Sequence, residues 1–380
     1  MRIKCTFLLF LLVVPLLAVR TGLAQQPPGL NDADRQRFEQ VKAKHDRGEA
    51  LTPEEQAFAQ SILQRSNQAE AAKRAEAYAK EHQPRESTGL IPLTELGART
   101  YKGEQGGLYP GGQNAPPPAH SRTGEALARR VIPLNADGAP SSDGKIVLLS
   151  IGMSNTTQEF QAFQKLVGAV PQVNPHLAFV DGAQGGQTAT ITANPEANFW
   201  KVVDQRLTSA GVTPKQVQVV WLKQANAQPT REFPAEAKKL EADLVATLHN
   251  LAASFPNLKI AYLSSRIYGG YAGTPLNPEP HAYESAFAVK WLIASQIEGR
   301  PELNCDATKG NVRSPWLAWG PYLWADGVTA RKDGLSYVRD DFGPDGTHPS
   351  TSGREKVAKQ LLDFLKIEPT SRPWFMTSDR

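Results

Sequence analysis

The sequence predicts an α/β protein, a three-layer α/β/α sandwich built on a parallel sheet, with a helical extension ahead of it. Four short apolar runs carry the prediction: residues 145–151, 176–181, 217–222 and 258–264 are rich in Val, Ile and Leu and are bounded by turn-forming residues. Runs of that length and composition read as strands buried on both faces, the condition of a parallel sheet. Longer stretches with apolar residues at helical spacing separate them, and this alternation implies crossovers of the usual hand with helices on both sheet faces. A core of about 230 residues can bury enough apolar surface to stand as one domain.

In chain order, Arg2 and Lys4, the apolar run 7–19 and Gly22-Leu23-Ala24 read as a secretory signal over residues 1–24. The run is short for a membrane span, so no integral membrane segment is expected once it is cleaved, and the location is secreted or periplasmic. Cleavage removes Arg2, Lys4 and Arg20 from 42 basic residues, leaving 39 against 38 acidic ones, and with that balance no electrostatic case for nucleic acid remains. Residues 25–86 are polar and read as a helical hairpin. Its helices span 31–45 and about 53–82, the second opened by the capping box Thr52-Pro53-Glu54-Glu55 and carrying Phe58, Ile62 and Leu63 as a thin apolar stripe.

Residues 87–142 are dense in Gly and Pro and show no obvious regular structure, so they form either a linker or an ordered loop on the core. Tyr101 and Tyr109 among the glycines suit a loop that shapes a cleft. The domain proper, residues 143–368, follows with helices expected at 198–207, 234–255, 283–298 and 352–366, and residues 369–380 read as a C-terminal tail. Trp316, Trp319, Tyr322 and Trp324 form an aromatic cluster that either packs in the core or stacks on a sugar. Cys305 is the single cysteine after position 24; it has no disulfide partner and no Cys or His neighbours at metal-ligand spacing, so it reads as a buried small residue. No phosphate-binding loop, internal repeat or heptad pattern is present.

Two stretches carry the candidate chemistry. Ser154 lies just past the strand 145–151, at the sheet edge where open α/β proteins bind ligands. There it is either a nucleophile or part of a helix cap with Asn155, Thr156 and Thr157. Near the other end, Asp345-Gly346-Thr347-His348 puts a carboxylate three residues before a histidine on a Gly/Pro-rich loop, which is good turn chemistry and equally a carboxylate-oriented imidazole.

In the order serine, aspartate, histidine, these stretches resemble the SGNH (GDSL-like) hydrolase superfamily. Gly152-Met153-Ser154-Asn155 stands for the nucleophile block and Asp345-Gly346-Thr347-His348 for the acid-base block. Gly182-Ala183-Gln184-Gly185-Gly186-Gln187 after the second strand looks like the glycine block, with Gly186 the better match and Gly185 the competitor. Lys223-Gln224-Ala225-Asn226 after the third puts Asn226 at the family's asparagine. The resemblance implies a triad of Ser154, His348 and Asp345 and an oxyanion hole made by the Ser154 N–H, the Gly186 N–H and the Asn226 amide. Neither metal nor other cofactor is implied. Met153 and Gln224 depart from the family pattern and mark a divergent branch, and the Gly-x-Ser-Asn form is similar to that of sialate and xylan O-acetylesterases.

The expectation is an exported serine esterase acting on small O-acyl groups, acetyl among them, of a small molecule or glycan. Arg266, at the end of the fourth strand, and Trp319 are its candidate substrate contacts. The rival expectation is a catalytically silent carbohydrate-binding or interaction module that keeps the fold; a lipase is disfavoured because the sequence shows no evident amphipathic lid.

Overall fold

The computed structural model describes residues 31–377, and the chain divides into two compact units, residues 1–77 and 78–380. The expected signal segment, 1–24, lies outside the described residues. In the first unit, α1 (Asp32–Asp46) and the start of α2 (Pro53–Glu81) form the expected hairpin. The capping box is made: the Glu55 N–H donates to Thr52 Oγ1 (3.2 Å) and the Thr52 N–H to Glu55 Oε2 (2.9 Å). Phe38 and Ile62 are buried together with Phe58 beside them, a small apolar contact reinforced at its rim by Lys44 and Glu55 (2.6 Å).

The second unit begins its regular structure with α3 (Leu93–Leu96), a two-stranded hairpin of β1 (Thr100–Tyr101) and β2 (Glu104–Gln105), and α4 (Pro118–Ala128). The sandwich follows as β3 (Ile146–Gly152), α5 (Ser154–Val167), β4 (Leu177–Asp181), α6 (Ala189–Thr192), α7 (Asn198–Ser209), β5 (Val217–Lys223), α8 (Ala235–Ser254), β6 (Ile260–Ser264), α9 (His281–Ile297), β7 (Trp316–Trp319), α10 (Thr351–Ile367) and α11 (Arg372–Phe375). All five long-sheet strands run parallel in the order β4-β3-β5-β6-β7. Helices flank the sheet, α5 packing on α10 and α8 on α9, in a three-layer α/β/α sandwich. Every residue of β3, β5, β6 and β7 is buried, as the unbroken apolar runs require.

The strand order reverses direction between β3 and β5, which creates a crevice beyond their carboxyl ends. Gly152 pairs in register with Lys223, so both strands stop at the same level and the segments that leave them start side by side.

Three stretches are more definite in the structure than in the sequence. The cluster at 316–324 begins with a fifth strand, β7, on the sheet edge. Residues 87–142 are ordered, the second of the two readings the sequence left open, and they reach that edge. His120 Nε2 meets the Leu317 carbonyl (2.7 Å), Tyr109 Oη accepts the Trp319 N–H (3.2 Å), and Gln296 accepts the Leu317 N–H (2.7 Å), so backbone groups an edge strand would leave open are satisfied by side chains. The same segment is pinned at its start by buried Asp326, which accepts from the Thr88 N–H (2.7 Å), the Thr88 hydroxyl (2.6 Å) and the Gly89 N–H (2.8 Å). Within the C-terminal stretch Trp374 and Phe375 are buried, and the Phe375 carbonyl accepts the Asn174 N–H (2.9 Å). Among the described residues no helix is long and apolar enough to cross a membrane.

Candidate active site

Ser154 is the first residue of α5, after Met153, which holds the N-cap position in extended conformation and makes no side-chain cap bond. The run Ser154-Asn155-Thr156-Thr157, which could have served as a cap, sends its four polar side chains to three other segments of the chain. Ser154 Oγ lies 2.8 Å from His348 Nε2, Asn155 Nδ2 donates to the Thr347 carbonyl (3.0 Å), Thr156 Oγ1 to the Lys223 carbonyl (2.8 Å) and Thr157 Oγ1 to the Ala183 carbonyl (2.6 Å). One turn of helix thus gathers the loops after β4 and β5 and the histidine loop around the crevice. Close approach makes glycine necessary just before it: a Cβ on Gly152 would meet Thr156 Oγ1 at 2.3 Å and the Lys223 carbonyl at 2.4 Å.

Asp345 is held on both oxygens. Its Oδ2 takes His348 Nδ1 (2.5 Å), and its Oδ1 accepts the backbone N–H groups of Thr347 and His348 (3.0 Å each). Burial pushes the Asp345 carboxyl up, but the hydrogen bonds from the His348 ring, the His348 N–H and the Thr347 N–H outweigh it and hold the group down at about 2. An ionised carboxylate only accepts, so the proton on the ring sits at Nδ1 and Nε2 presents its lone pair to the Ser154 hydroxyl. The side chains of His348 and Asp345 are 31% and 32% exposed, so the pair opens onto solvent.

Beneath the crevice lies a buried charge cluster that the sequence did not reveal. Lys223 Nζ contacts both oxygens of Glu159 (2.7 and 2.8 Å), and both side chains are fully buried. Burial draws the Lys223 ammonium down, to about 8, against the pull of Glu159. Arg266 is also buried, 4% exposed, and its Nε has no hydrogen-bond partner among the described residues. Burial lowers its pKa, opposed by the carboxylates of Glu159, Glu279 and Asp345. The signal available in the sequence was Lys223 itself, a charged residue closing an apolar strand.

Serine, histidine and aspartate are therefore brought together. Of the two glycines, Gly185 is the one set against the serine, a Cβ on it falling 3.8 Å from Ser154 Cβ, while Gly186 takes the left-handed turn (φ 74°). Asn226 is buried, with Oδ1 accepting the Thr190 N–H (3.1 Å) and hydroxyl (3.0 Å), and Nδ2 giving one hydrogen to Asp243 (2.8 Å), which leaves its second amide hydrogen. Both residues expected as substrate contacts are buried. Arg266 is 4% exposed, and its guanidinium lies in the field of the Glu159, Glu279 and Asp345 carboxylates rather than at the surface. Trp319 is 3% exposed, with its indole N–H on the Leu108 carbonyl (2.7 Å) and its ring edge-on to Tyr322; it lines a cavity of about 830 Å³ beside β7 whose lining includes none of Ser154, Asp345 and His348. Among the described residues no three His, Cys, Asp or Glu side chains converge to hold a metal ion.

No family model matches the chain, and no curated protein matches it. Solved structures give distant likenesses. A provisionally named platelet activating factor from Streptococcus pneumonia has 13% identity and a TM-score of 0.31, covering 65% of this chain and 92% of that one. The periplasmic domain of a lipopolysaccharide acetyltransferase from Salmonella ser. Paratyphi A has 12% identity and a TM-score of 0.30, covering 64% and 95%. A salicylyl-acyltransferase from a tetracycline biosynthetic pathway has 13% identity and a TM-score of 0.28, covering 61% and 58%. At TM-scores this low none of them bears on what this chain does.

Proposed function

We propose that this protein is an exported SGNH-like serine esterase that removes small O-acyl groups, acetyl foremost, from a carbohydrate. The observation that carries the reading is the continuous hydrogen-bonded line from Ser154 Oγ through His348 to Asp345, at the carboxyl ends of the strands where the sheet order reverses.

In this mechanism His348 Nε2 takes the Ser154 hydroxyl proton as Oγ attacks the ester carbonyl, and Asp345 stabilises the imidazolium so formed. The carbonyl oxygen becomes an oxyanion that accepts from the Ser154 N–H, which belongs to the unpaired first turn of α5, from a glycine N–H of the 185–186 turn, and from the remaining Asn226 amide hydrogen. Each such donor is worth about 3 kcal/mol by analogy with a measured asparagine donor. The imidazolium then gives its proton to the leaving alkoxide. Water, deprotonated by the same nitrogen, attacks the acyl-serine, the acid departs and Ser154 regains its proton. A third of the His348 and Asp345 side chains is exposed, which suits an ester displayed on a large polar molecule better than a long chain needing a tunnel. The Gly-Met-Ser-Asn block supports the carbohydrate part of the reading through its likeness to O-acetylesterases.

A fluorophosphonate probe is expected to label Ser154, and the protein to hydrolyse p-nitrophenyl acetate and release acetate from O-acetylated oligosaccharides. Ser154→Ala is expected to lose label and turnover with its thermal unfolding unchanged. A wild-type chain that is inert to a panel of acyl esters and takes up no probe would replace this reading with the silent binding module.

A further inference from the structure

The segment between β6 and α9 reaches both halves of the site. At one end the Gly273 N–H donates to the Asp345 carbonyl (2.9 Å), and Thr274 Oγ1 lies 3.4 Å from Thr347 Oγ1. Contact there is tight: a Cβ on Gly346 would fall 1.7 Å from the Tyr271 carbonyl oxygen. A few residues on, the Leu276 carbonyl accepts the Gln228 N–H (2.9 Å) and Asn277 Nδ2 donates to the Asn226 carbonyl (3.1 Å). The loop that orients the imidazole and the turn that carries Asn226 are thus tied to one brace.

Asn277 is 6% exposed, and its Oδ1 accepts no hydrogen bond among the described residues; the same is true of Oε2 of Glu284, which is 2% exposed. Both residues line a cavity of about 20 Å³, together with Asn226 and with His281, whose Nδ1 also has no hydrogen-bond partner among the described residues and lies 3.5 Å from Glu284 Oε2. A polar cavity of that size has room for one water molecule, and the two unpartnered acceptors on the residues that line it match the two O–H donors of water.

We propose that Asn277 is a positioning residue for the Asn226 turn, fixing the Asn226 carbonyl with its amide and itself held by one buried water that donates to Asn277 Oδ1 and Glu284 Oε2. The inference rests on Asn226 serving as an oxyanion donor. Thr190 and Asp243 fix the Asn226 side chain, and Asn277 fixes the backbone from which that side chain departs. A donor displaced by about 1 Å costs on the order of 100-fold in rate, so the brace acts on turnover without touching substrate.

Asn277→Ala is expected to lower kcat about 10- to 100-fold on p-nitrophenyl acetate with KM within about twofold, on the scale of a misplaced donor. In an Asn226→Ala background the same substitution is expected to change nothing further, because the group it positions is gone. Equal losses in both backgrounds, or an unchanged kcat, would overturn the proposal. Should Asn277→Ala not fold, Asn277→Ser is measured the same way. A second arm is independent of turnover: crystal structures should show the water between Asn277 and Glu284 in the wild type and a displaced 225–228 turn in the variant. An unmoved turn overturns the proposal even in an active enzyme, whereas failure of the probe to label wild-type Ser154 counts against the esterase reading and leaves this arm to decide.

Discussion

Replacing Asp345 by Asn tests the proposed mechanism at its most specific point. Oδ1 of Asp345 accepts two backbone N–H groups while Oδ2 faces the ring nitrogen alone. An asparagine amide therefore sets its oxygen against the two N–H donors and its NH₂ against His348 Nδ1. The NH₂ donates, so Nδ1 must accept and the ring proton moves to Nε2. With a proton there, Nε2 can no longer take one from Ser154. The comparable change in another triad enzyme costs about 10⁴-fold, roughly 5.5 kcal/mol of transition-state stabilisation at 1.36 kcal/mol per tenfold. The effect on folding is separate and smaller. The Asp345 carboxyl lies at about 2 in the fold against an ordinary 3.8, so its contribution is fully present above pH 3.8 and fades as pH falls through 2. With a third of the side chain in solvent that contribution is about 1 kcal/mol, a shift of a few degrees in Tm. The assay is kcat/KM on p-nitrophenyl acetate from pH 5 to 9 beside thermal unfolding, with ¹⁵N spectra reporting which ring nitrogen of His348 is protonated. Retention of more than about a tenth of wild-type kcat/KM, or an unchanged tautomer, would refute the orienting role of Asp345.

Two further outcomes follow from the same structure. Lys223→Met removes the ammonium that meets both Glu159 oxygens and is expected to cost about 3–5 kcal/mol in urea unfolding, part of it recovered in the double variant with Glu159→Leu and the rest lost because buried Arg266 also faces Glu159; a single variant no less stable than the double would show that the pair is not coupled. If the first 24 residues are an export signal, N-terminal sequencing of the secreted or periplasmic protein should begin at Gln25, and a chain still starting at Met1 would remove the export reading.

Much of the sheet was legible because buried parallel strands are written as unbroken aliphatic runs. The predicted run 217–222 became Val217–Lys223, and 258–264 became Ile260–Ser264. β7 escaped because its four residues, Trp316-Leu317-Ala318-Trp319, are half tryptophan and flanked by prolines, so composition spoke for aromatic packing as loudly as for a strand. α4 was hidden by Pro116-Pro117-Pro118: a proline run reads as loop, yet proline suits the first turn of a helix, where its missing N–H costs nothing. The candidate site divides in the same way. Ser154, Asp345 and His348 stand in local patterns, whereas Asn277, Asp243 and Glu159 act across 51, 17 and 64 positions of sequence, with no motif to announce them. The burial of Arg266 and Trp319 was not legible because a strand end fixes a residue's height on the sheet but not whether its side chain turns outward or into the layer below.

Met153 and Gln224, where the sequence departs from the pattern it resembles, take different places in the structure. Met153 occupies the N-cap without capping, which leaves the first-turn N–H groups of α5, including that of Ser154, without a side-chain partner from this position. Gln224 does more than fill a glycine's place. Its Nε2 donates to the Gln187 carbonyl (2.9 Å) and its Oε1 accepts the Ala225 N–H (3.2 Å), so a side chain leaving the end of β5 crosses to the turn that holds Gly185 and Gly186. The backbone repeats the link, the Ala189 N–H donating to the Ala225 carbonyl (3.0 Å). A glycine at 224 could not make the side-chain crossing. The substitution thus couples the two segments proposed to supply the second and third oxyanion donors, and with Asn277 on the other side of the Asn226 turn it makes the spacing of those donors a property of three loops tied together rather than of any one.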